Sequence, residues 1–381
     1  MEFQKYIDEK KDIHLSILAY FDDEKNAQES YLNLINQIEI QKIQEKQDEL
    51  FNIFHIILNI AKSYHRSSNF FHKLKEVLLF FQNDIKRIFS NVGIYHFFKR
   101  SKYIILLLIK ENILLLNYRM ICYLIEFDSV YFYPEITTFF YFKQNENGTN
   151  LSNSKYYYNL FLKNINGIES YIESINGFEQ KRLEGENDSY LCELIRNDSV
   201  EEFISYVNKT NTSLSREISP SIFETSIALV NKKVSLIEYA TFFGSIQIFQ
   251  YLRLNEIELC DSLWFYAIHG RNYDIIHLLE SEIILDQSSY CYCYEYAVCI
   301  YHNELADYIK ENLIKNFQIY GDKYTQSYLD CYFMHHNYSI IPDDISHHLL
   351  FCYLCKYDYS RIVRNLLEEK CLDFNINDTI I

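Results

Sequence analysis

Ser235-Leu236-Ile237-Glu238-Tyr239-Ala240 is followed 27 residues later by Ser262-Leu263-Trp264-Phe265-Tyr266-Ala267. In each copy, apolar residues stand eight and twelve positions after the alanine, at Ile248 and Leu252 and at Ile275 and Leu279. A small residue within a first helix lets a second helix pack closely, and the apolar pair supplies the buried face of that second helix. Neither helix buries its apolar stripe alone, so the pattern predicts helix pairs that stack on one another.

The same offsets locate weaker copies on both sides of this stretch. They are Ile195 with Phe203 and Val207, Ala297 with Leu305 and Ile309, and Leu354 with Ile362 and Leu366. The 57 residues between Ala297 and Leu354 fit two units, with one degenerate copy at residues 320–345. Ser235 and Ser262 each precede their alanine by five residues and are predicted to cap their helices with the side-chain hydroxyl.

The composition favours helices throughout the chain. Its 381 residues include only 8 glycines and 3 prolines, and 49% of them are apolar, which suits helices joined by short loops rather than a turn-dense β-fold. We predict an all-α fold in which a helical N-terminal region precedes an α-solenoid. The expected divisions are a helical domain at residues 1–142, a polar linker with a short helix at 143–185, and the repeat domain at 186–375.

Two further predictions concern the N-terminal region. Apolar residues recur at 3-4-3-4-3 spacing from Phe71 through Leu74, Leu78, Phe81 and Ile85 to Ile88, which predicts one core-facing helix. The stripe is shorter than the three to four heptads that indicate a coiled coil, so we expect it to pack within the chain. The runs Ile104–Leu108 and Ile113–Leu116 are also predicted to be buried helices.

The charge and the cysteines exclude several classes of function. A net charge of -16 argues against binding nucleic acid or an anionic membrane through a basic surface, and leaves a basic protein partner possible. The start of the chain lacks the order of a secretory signal, and no apolar run reaches the roughly 20 residues of a membrane span. We therefore expect a cytoplasmic protein whose ten cysteines are reduced thiols.

The repeated pattern resembles the ankyrin repeat, which runs Thr-Pro-Leu-His-x-Ala, then Gly, then two closing apolar pairs. Ser235 and Ser262 stand in the place of the threonine, Ala240 and Ala267 match the alanine, and Gly244 matches the glycine. The proline and the histidine of the pattern are replaced, the Gly-Ala-Asp sequence of the connecting finger is missing, and the period of 27 to 30 is shorter than the usual 33 or so. Helix pairs are thus better supported than projecting hairpins.

More narrowly, the chain is similar to the large ankyrin-containing families of unknown function that are expanded in parasitic protists. The residues that carry this likeness are 235–240 (Ser-Leu-Ile-Glu-Tyr-Ala) and 266–272 (Tyr-Ala-Ile-His-Gly-Arg-Asn), after a helical N-terminal region. The resemblance implies a non-enzymatic scaffold for protein–protein interaction, with no catalytic residue and no cofactor.

The resemblance also implies a partner-binding surface, because partners of ankyrin repeats touch the finger tips and the residues after the alanine. The corresponding residues are Val234, Phe242, Phe243, Asp261 and His269, and Gly270 lies beside them. Phe242 and Phe243 are either an exposed aromatic anchor or part of the core between repeats. Trp264 is expected in the core.

Glycine-rich phosphate loops and the common protease motifs are missing from the sequence, so we expect no enzyme. The rival hypothesis is a metal-binding or enzymatic regulator centred on residues 335–355. There Cys352 and Cys355, with His335–His336 and His347–His348, could complete a tetrahedral zinc site. Since spacing three also places two small residues on one helix face, we favour packing and predict no metal ligand. The partner's identity and the oligomeric state stay open.

Overall fold

The computed structural model describes residues 2–63, 69–145, 159, 167–315, 321–341, 347–357, 359 and 363–364. This part of the chain forms 21 α-helices, two short 3-10 helices and one two-stranded antiparallel ladder. The predicted all-α fold is confirmed. The polar stretch at residues 146–158, together with Ile362, Leu366 and most of the chain beyond residue 359, lies outside the described residues.

The first eleven helices precede the repeated pattern. They are α1 (Glu2–Asp22), α2 (Ala27–Ile40), α3 (Gln47–Ser63), α4 (Phe70–Phe80), α5 (Gln82–Ile88), α6 (Asn91–Phe98), α7 (Lys102–Lys110), α8 (Tyr118–Asp128), α9 (Tyr133–Asn145), α10 (Ile168–Ser174) and α11 (Phe178–Glu184), with a 3-10 helix at Ile43–Glu45. Helix α10 lies where a short helix is predicted within residues 143–185, and α11 follows it in the same segment.

The remaining elements follow the helix-pair pattern. They are α12 (Tyr190–Arg196), α13 (Val200–Thr210), β1 (Glu217–Ile218), β2 (Val234–Ser235), α14 (Leu236–Phe243), α15 (Ile246–Leu254), α16 (Ser262–Gly270), α17 (Tyr273–Glu282), α18 (Gln287–Cys299), α19 (Asn303–Asn312), α20 (Gly321–Met334), a 3-10 helix at Tyr338–Ile340 and α21 (His347–Lys356). Strands β1 and β2 pair Glu217 with Ser235 and Ile218 with Val234.

Two predictions about the N-terminal helices need correction. The stripe from residue 71 to 88 forms two helices, α4 and α5, because the helix is interrupted at Phe81. The apolar residues Leu74, Leu78, Phe81 and Ile85 are all buried, as the pattern predicts. Residues 113–116 are not helical: Ile113 and Leu114 are buried, whereas Leu115 is exposed. An apolar run of only about one helical turn can be buried in an extended loop as well as in a helix.

The predicted cap at Ser235 is confirmed as a capping box. The Ser235 hydroxyl accepts a hydrogen bond from the Glu238 backbone N–H (3.3 Å), and the Glu238 carboxylate accepts one from the Ser235 N–H (2.8 Å). The cap predicted at Ser262 is wrong, because Ser262 is the first residue of α16. The N-cap position of α16 is Asp261, whose side chain makes no capping hydrogen bond.

The residues at the positions that define the repeat are buried where two helices contact each other. Ala240, Ala267 and Ala297 are at most 1% exposed. The apolar residues eight and twelve positions later are also buried: Ile248, Leu252, Ile275, Leu279, Leu305 and Ile309. Small residues in first helices and apolar residues in second helices therefore form the core of these pairs, as predicted.

One turn geometry recurs between the two helices of a pair. A left-handed residue ends the first helix at Asp198, Gly244, Arg271, Tyr301 and His336, with φ between 48 and 64°. At three of these turns, the next side chain then bonds the end of the preceding first helix. Asn272 donates to the Gly244 carbonyl (2.8 Å), His302 Nδ1 to the Ile268 carbonyl (2.6 Å) and Asn337 to the Val298 carbonyl (2.8 Å).

The chain divides into two compact units, each built from more than one segment of the sequence. The first contains Met1–Phe70, Thr241–Ile246 and Glu258–Ile381, and the second contains Phe71–Ala240 and Gln247–Ile257. In the first unit, α16 packs on α18, α18 on α20 and α20 on α21, while α1 packs on α2 and on the 3-10 helix at Tyr338–Ile340. In the second unit, α12 packs on α13, and α5, α6 and α7 pack in succession.

Candidate functional site

A groove runs across three consecutive first helices of the first unit. Residues of α16, α18 and α20 line a cavity of about 570 Å³, which is in the range of small-ligand and peptide sites. The lining residues are Asp261, Trp264, Phe265, Ile268, Leu285, Ser289, Tyr292, Cys293, Glu295, Tyr296, Cys299, Asp330, Cys331, Met334 and His335. We call this cavity the first-helix groove.

Apolar side chains, including aromatic rings and cysteines, form most of this lining. Tyr292 and Met334 are 71% and 55% exposed, respectively, and both line the groove. Phe265 stacks on Tyr296 with ring centroids 4.5 Å apart, and Trp264 is buried beneath the surface. Exposed aromatic and methionine side chains above a packed floor are typical of surfaces that bind an apolar anchor.

Three carboxylates line the same groove. Asp261 is exposed, and Glu295 and Asp330 are half-buried. Asp330 already accepts from Lys356 (2.5 Å) and from the Tyr357 hydroxyl (2.7 Å), so its charge is partly balanced within the chain. A groove with an apolar floor and these acids is complementary to a basic segment that carries an apolar side chain.

Two thiols and one imidazole meet on the wall of the groove. The Sγ atoms of Cys299 and Cys331 are 3.3 Å apart. A ring nitrogen of His335 completes the group, and the three ligand atoms lie within 4.8 Å of one another. Cys299 ends α18, Cys331 lies in the last turn of α20, and His335 directly follows α20. Packing of α18 on α20 thus brings the three side chains together.

The two thiols titrate as a pair. The hydrogen bond from Cys331, together with the neighbouring His335 and against the effect of burial, lowers the pKa of Cys299 to about 6. The pKa of Cys331 is raised because its proton is held by Cys299 and because burial disfavours a second thiolate beside the first. A thiolate at Cys299 is the form that binds metal ions or attacks electrophiles.

Backbone hydrogen bonds fix the segment that carries His335. Its N–H donates to the Cys331 carbonyl (3.1 Å). Its own carbonyl accepts from the Tyr301 hydroxyl (2.5 Å) and from the Asn59 side chain (3.3 Å). The ring of His335 therefore projects into the groove from an anchored backbone.

The structure buries four of the five side chains assigned to partner binding. Val234, Phe242, Phe243 and His269 are 1% to 6% exposed, and Asp261 alone among the five is exposed. Phe242 packs on Phe243 and on the His269 ring, each with centroids 4.9 Å apart. Of the two alternatives for the Phe242–Phe243 pair, burial between helices is the one observed, so a partner could reach these rings only after local rearrangement.

The residues of the rival metal hypothesis are not gathered in one place. Cys352 and Cys355 are exposed on α21. The side chains of His347 and His348 lie outside what the structure describes. His336 stacks on His55, with ring centroids 4.8 Å apart, and its pKa is held well below the ordinary value by burial. Within the region 335–355, it is His335 that joins a thiol cluster, and it does so with Cys299 and Cys331.

Sequence reasoning missed Cys299 and Cys331. One signal was available, because Cys331 and His335 are four residues apart and share a helix face. Cys299 carries no local signal of this kind. It reaches the cluster through the packing of two helices whose thiols are separated by 32 residues in the sequence.

No protein-family model, curated protein or solved structure matches this chain. Among the described helices, none combines the length and the apolarity that crossing a membrane requires. The nine cysteines within the described residues are all free.

Proposed function

We propose that the chain is a non-enzymatic protein-interaction scaffold of degenerate ankyrin type, and that the first-helix groove is its recognition surface. The observation that carries the proposal is the groove itself: an apolar, partly aromatic cavity of about 570 Å³ across α16, α18 and α20. Stacked helix pairs bury their cores between neighbours and leave one continuous face for a partner.

The recurring turns support an array of this kind. Asn272, His302 and Asn337 each donate from one pair to the first helix of the preceding pair. In the second unit, Asp198, in the turn after α12, accepts from the backbone N–H groups of Gln247 and Ile248 in the first turn of α15, each at 3.0 Å, and so joins one pair to the second helix of the next. Such bonds hold successive first helices in register, which a groove across several of them requires.

Charge complementarity selects the occupant. Asp261, Glu295 and Asp330 line the groove, and the chain as a whole carries a net charge of -16. The occupant that fits is a basic peptide segment with one aromatic or aliphatic anchor that packs against Tyr292 and Met334. The proposal places the chain in the cytoplasm, where its cysteines would stay reduced.

Selection of peptides tests this proposal directly. A random phage-displayed library is panned on the immobilised full chain, and the selected sequences are synthesised. We expect Lys- or Arg-rich peptides with one large apolar residue. Binding should weaken at least about tenfold in the Tyr292→Ala/Met334→Ala variant, because truncating a buried anchor contact costs roughly 1–2 kcal/mol.

The control replaces two equally exposed side chains that do not line the groove. Phe127 and Leu254 are 71% and 75% exposed, and the Phe127→Ala/Leu254→Ala variant should bind the peptides as the wild type does. Acidic consensus peptides, or equal binding by the groove variant and the wild type, would contradict the proposed surface.

A further inference from the structure

We propose that Cys299, Cys331 and His335 form a zinc site with two thiolate ligands and one imidazole, open to the first-helix groove at the fourth position. The site goes beyond the proposed scaffold function, and it uses different cysteines from the Cys352–Cys355 pair that the sequence draws attention to. Its donor set is one that zinc prefers among the divalent ions.

The geometry lies close to what a tetrahedral ion requires. With Zn–S and Zn–N bonds of about 2.3 and 2.0 Å, neighbouring ligand atoms stand roughly 3.5–3.8 Å apart. Here the two sulfurs are 3.3 Å apart and all three atoms lie within 4.8 Å. Side-chain rotations that move the atoms by about half an ångström to one ångström are enough, and the backbone at His335 is already anchored by Tyr301 and Asn59.

The environment fits an ion that keeps an open coordination position. All three residues line the groove, so water can occupy the fourth position. Starting from two thiols, binding of Zn²⁺ gives a zinc dithiolate and releases both protons to solvent. Where Cys299 is already a thiolate, one proton is released, from Cys331.

The bound ion would join the end of α18 to the end of α20. These two helices form one wall of the first-helix groove. The bound ion would therefore hold that wall in one conformation. Removing the ion would leave the helix pairs folded.

Cobalt(II) titration of the reduced, metal-free full chain tests the site, because thiolate-to-cobalt charge transfer gives an absorption band that imidazole or carboxylate ligands alone do not give. We expect one cobalt ion per chain with this band, and displacement by an equal concentration of Zn²⁺. The Cys299→Ser and Cys331→Ser variants should lose the band, and His335→Ala should bind more than about tenfold more weakly.

The matched control is Cys352→Ser/Cys355→Ser, which removes two exposed thiols one turn apart on α21. It should keep the band, and Zn²⁺ should raise its melting temperature as it raises that of the wild type. Circular dichroism checks that each variant is folded, and should Cys331→Ser not fold, the half-buried Cys299 at the helix end still provides the test.

Three results would overturn the site: no charge-transfer band in the wild type, the same band in the Cys299→Ser variant, or loss of the band in the control.

Discussion

His14 is a single buried side chain that makes the stability of the first unit depend on pH. It lies on α1 with no exposed surface, 4.6 Å from the Tyr301 ring and 6.4 Å from the Tyr338 ring. Neither ring nitrogen has a hydrogen-bond partner among the described residues. Burial lowers the pKa of His14 to about 3, so the imidazole is neutral in the folded chain.

The sign of the pH dependence follows from this lowered pKa. Between pH ~6.5 and ~3 the unfolded chain binds a proton at His14 and the folded chain does not, so folding free energy is lost as the pH falls. We expect the wild type to lose about 1.4 kcal/mol per pH unit in this window relative to a His14→Leu variant. Urea denaturation of both proteins at several pH values measures the difference.

Other titrating groups cancel in this comparison, since both proteins contain them. Glu224, whose pKa burial raises to about 7, would by itself give the opposite slope, with stability lost as the pH rises through its window. A constant difference between wild type and His14→Leu from pH 7 to pH 4 would show that His14 is not held neutral.

At the scale of elements, the contact between α16 and the end of α14 depends on a glycine. A Cβ atom added at Gly270 would lie 2.2 Å from the Thr241 carbonyl oxygen and 3.3 Å from the Gly244 backbone nitrogen. Both helix ends have to move apart to admit a methyl group. We expect Gly270→Ala to destabilise the chain by about 1–3 kcal/mol or more, measured as a lower melting temperature.

Gly93 offers the matched control. It lies within α6, and a Cβ atom there would be 3.2 Å from the Ser90 hydroxyl, which caps α6 by accepting from the Gly93 N–H and has to move by only a few tenths of an ångström. Gly93→Ala should be neutral or stabilise the chain by up to about 1 kcal/mol, since alanine has the higher helix propensity. If both variants changed the melting temperature equally, the close approach of Gly270 to Thr241 would not be the cause of the destabilisation.

The helix pairs could be predicted from the sequence because their determinants are local. Ala240 and Ala267, with apolar residues at fixed offsets, specify a helix contact within about 15 residues, and Ser235 with Glu238 specifies the helix start. Gly270 was assigned to the surface beside His269, and it lies instead against Thr241, because the neighbouring helix decides which face of α16 is covered.

Features that depend on distant packing could not be predicted. Lys10 and Glu49 form a buried ion pair between α1 and α3, although helical periodicity assigns charged residues to the solvent face. The cluster of Cys299, Cys331 and His335 and the burial of Phe242 have the same origin. In each, at least one partner lies on another helix, and no local pattern indicates which residue of that helix it will meet.

At the scale of the whole molecule, the net charge of -16 acts on any partner before contact is made. A field of one sign accelerates the association of an oppositely charged ligand, and salt screens this effect over a Debye length of about 8 Å at physiological ionic strength. Contacts within the groove act later, on dissociation, because they must be broken for the ligand to leave.

These two effects predict different kinetic changes for the basic peptides selected on the first-helix groove. Raising the ionic strength from about 0.01 to 0.15 M should slow association roughly tenfold or more and change dissociation little. The Tyr292→Ala/Met334→Ala variant should show the reverse, with association near that of the wild type and faster dissociation. Surface plasmon resonance at several salt concentrations measures the two rate constants separately. An association rate constant that does not change with salt would show that charge does not contribute to partner selection.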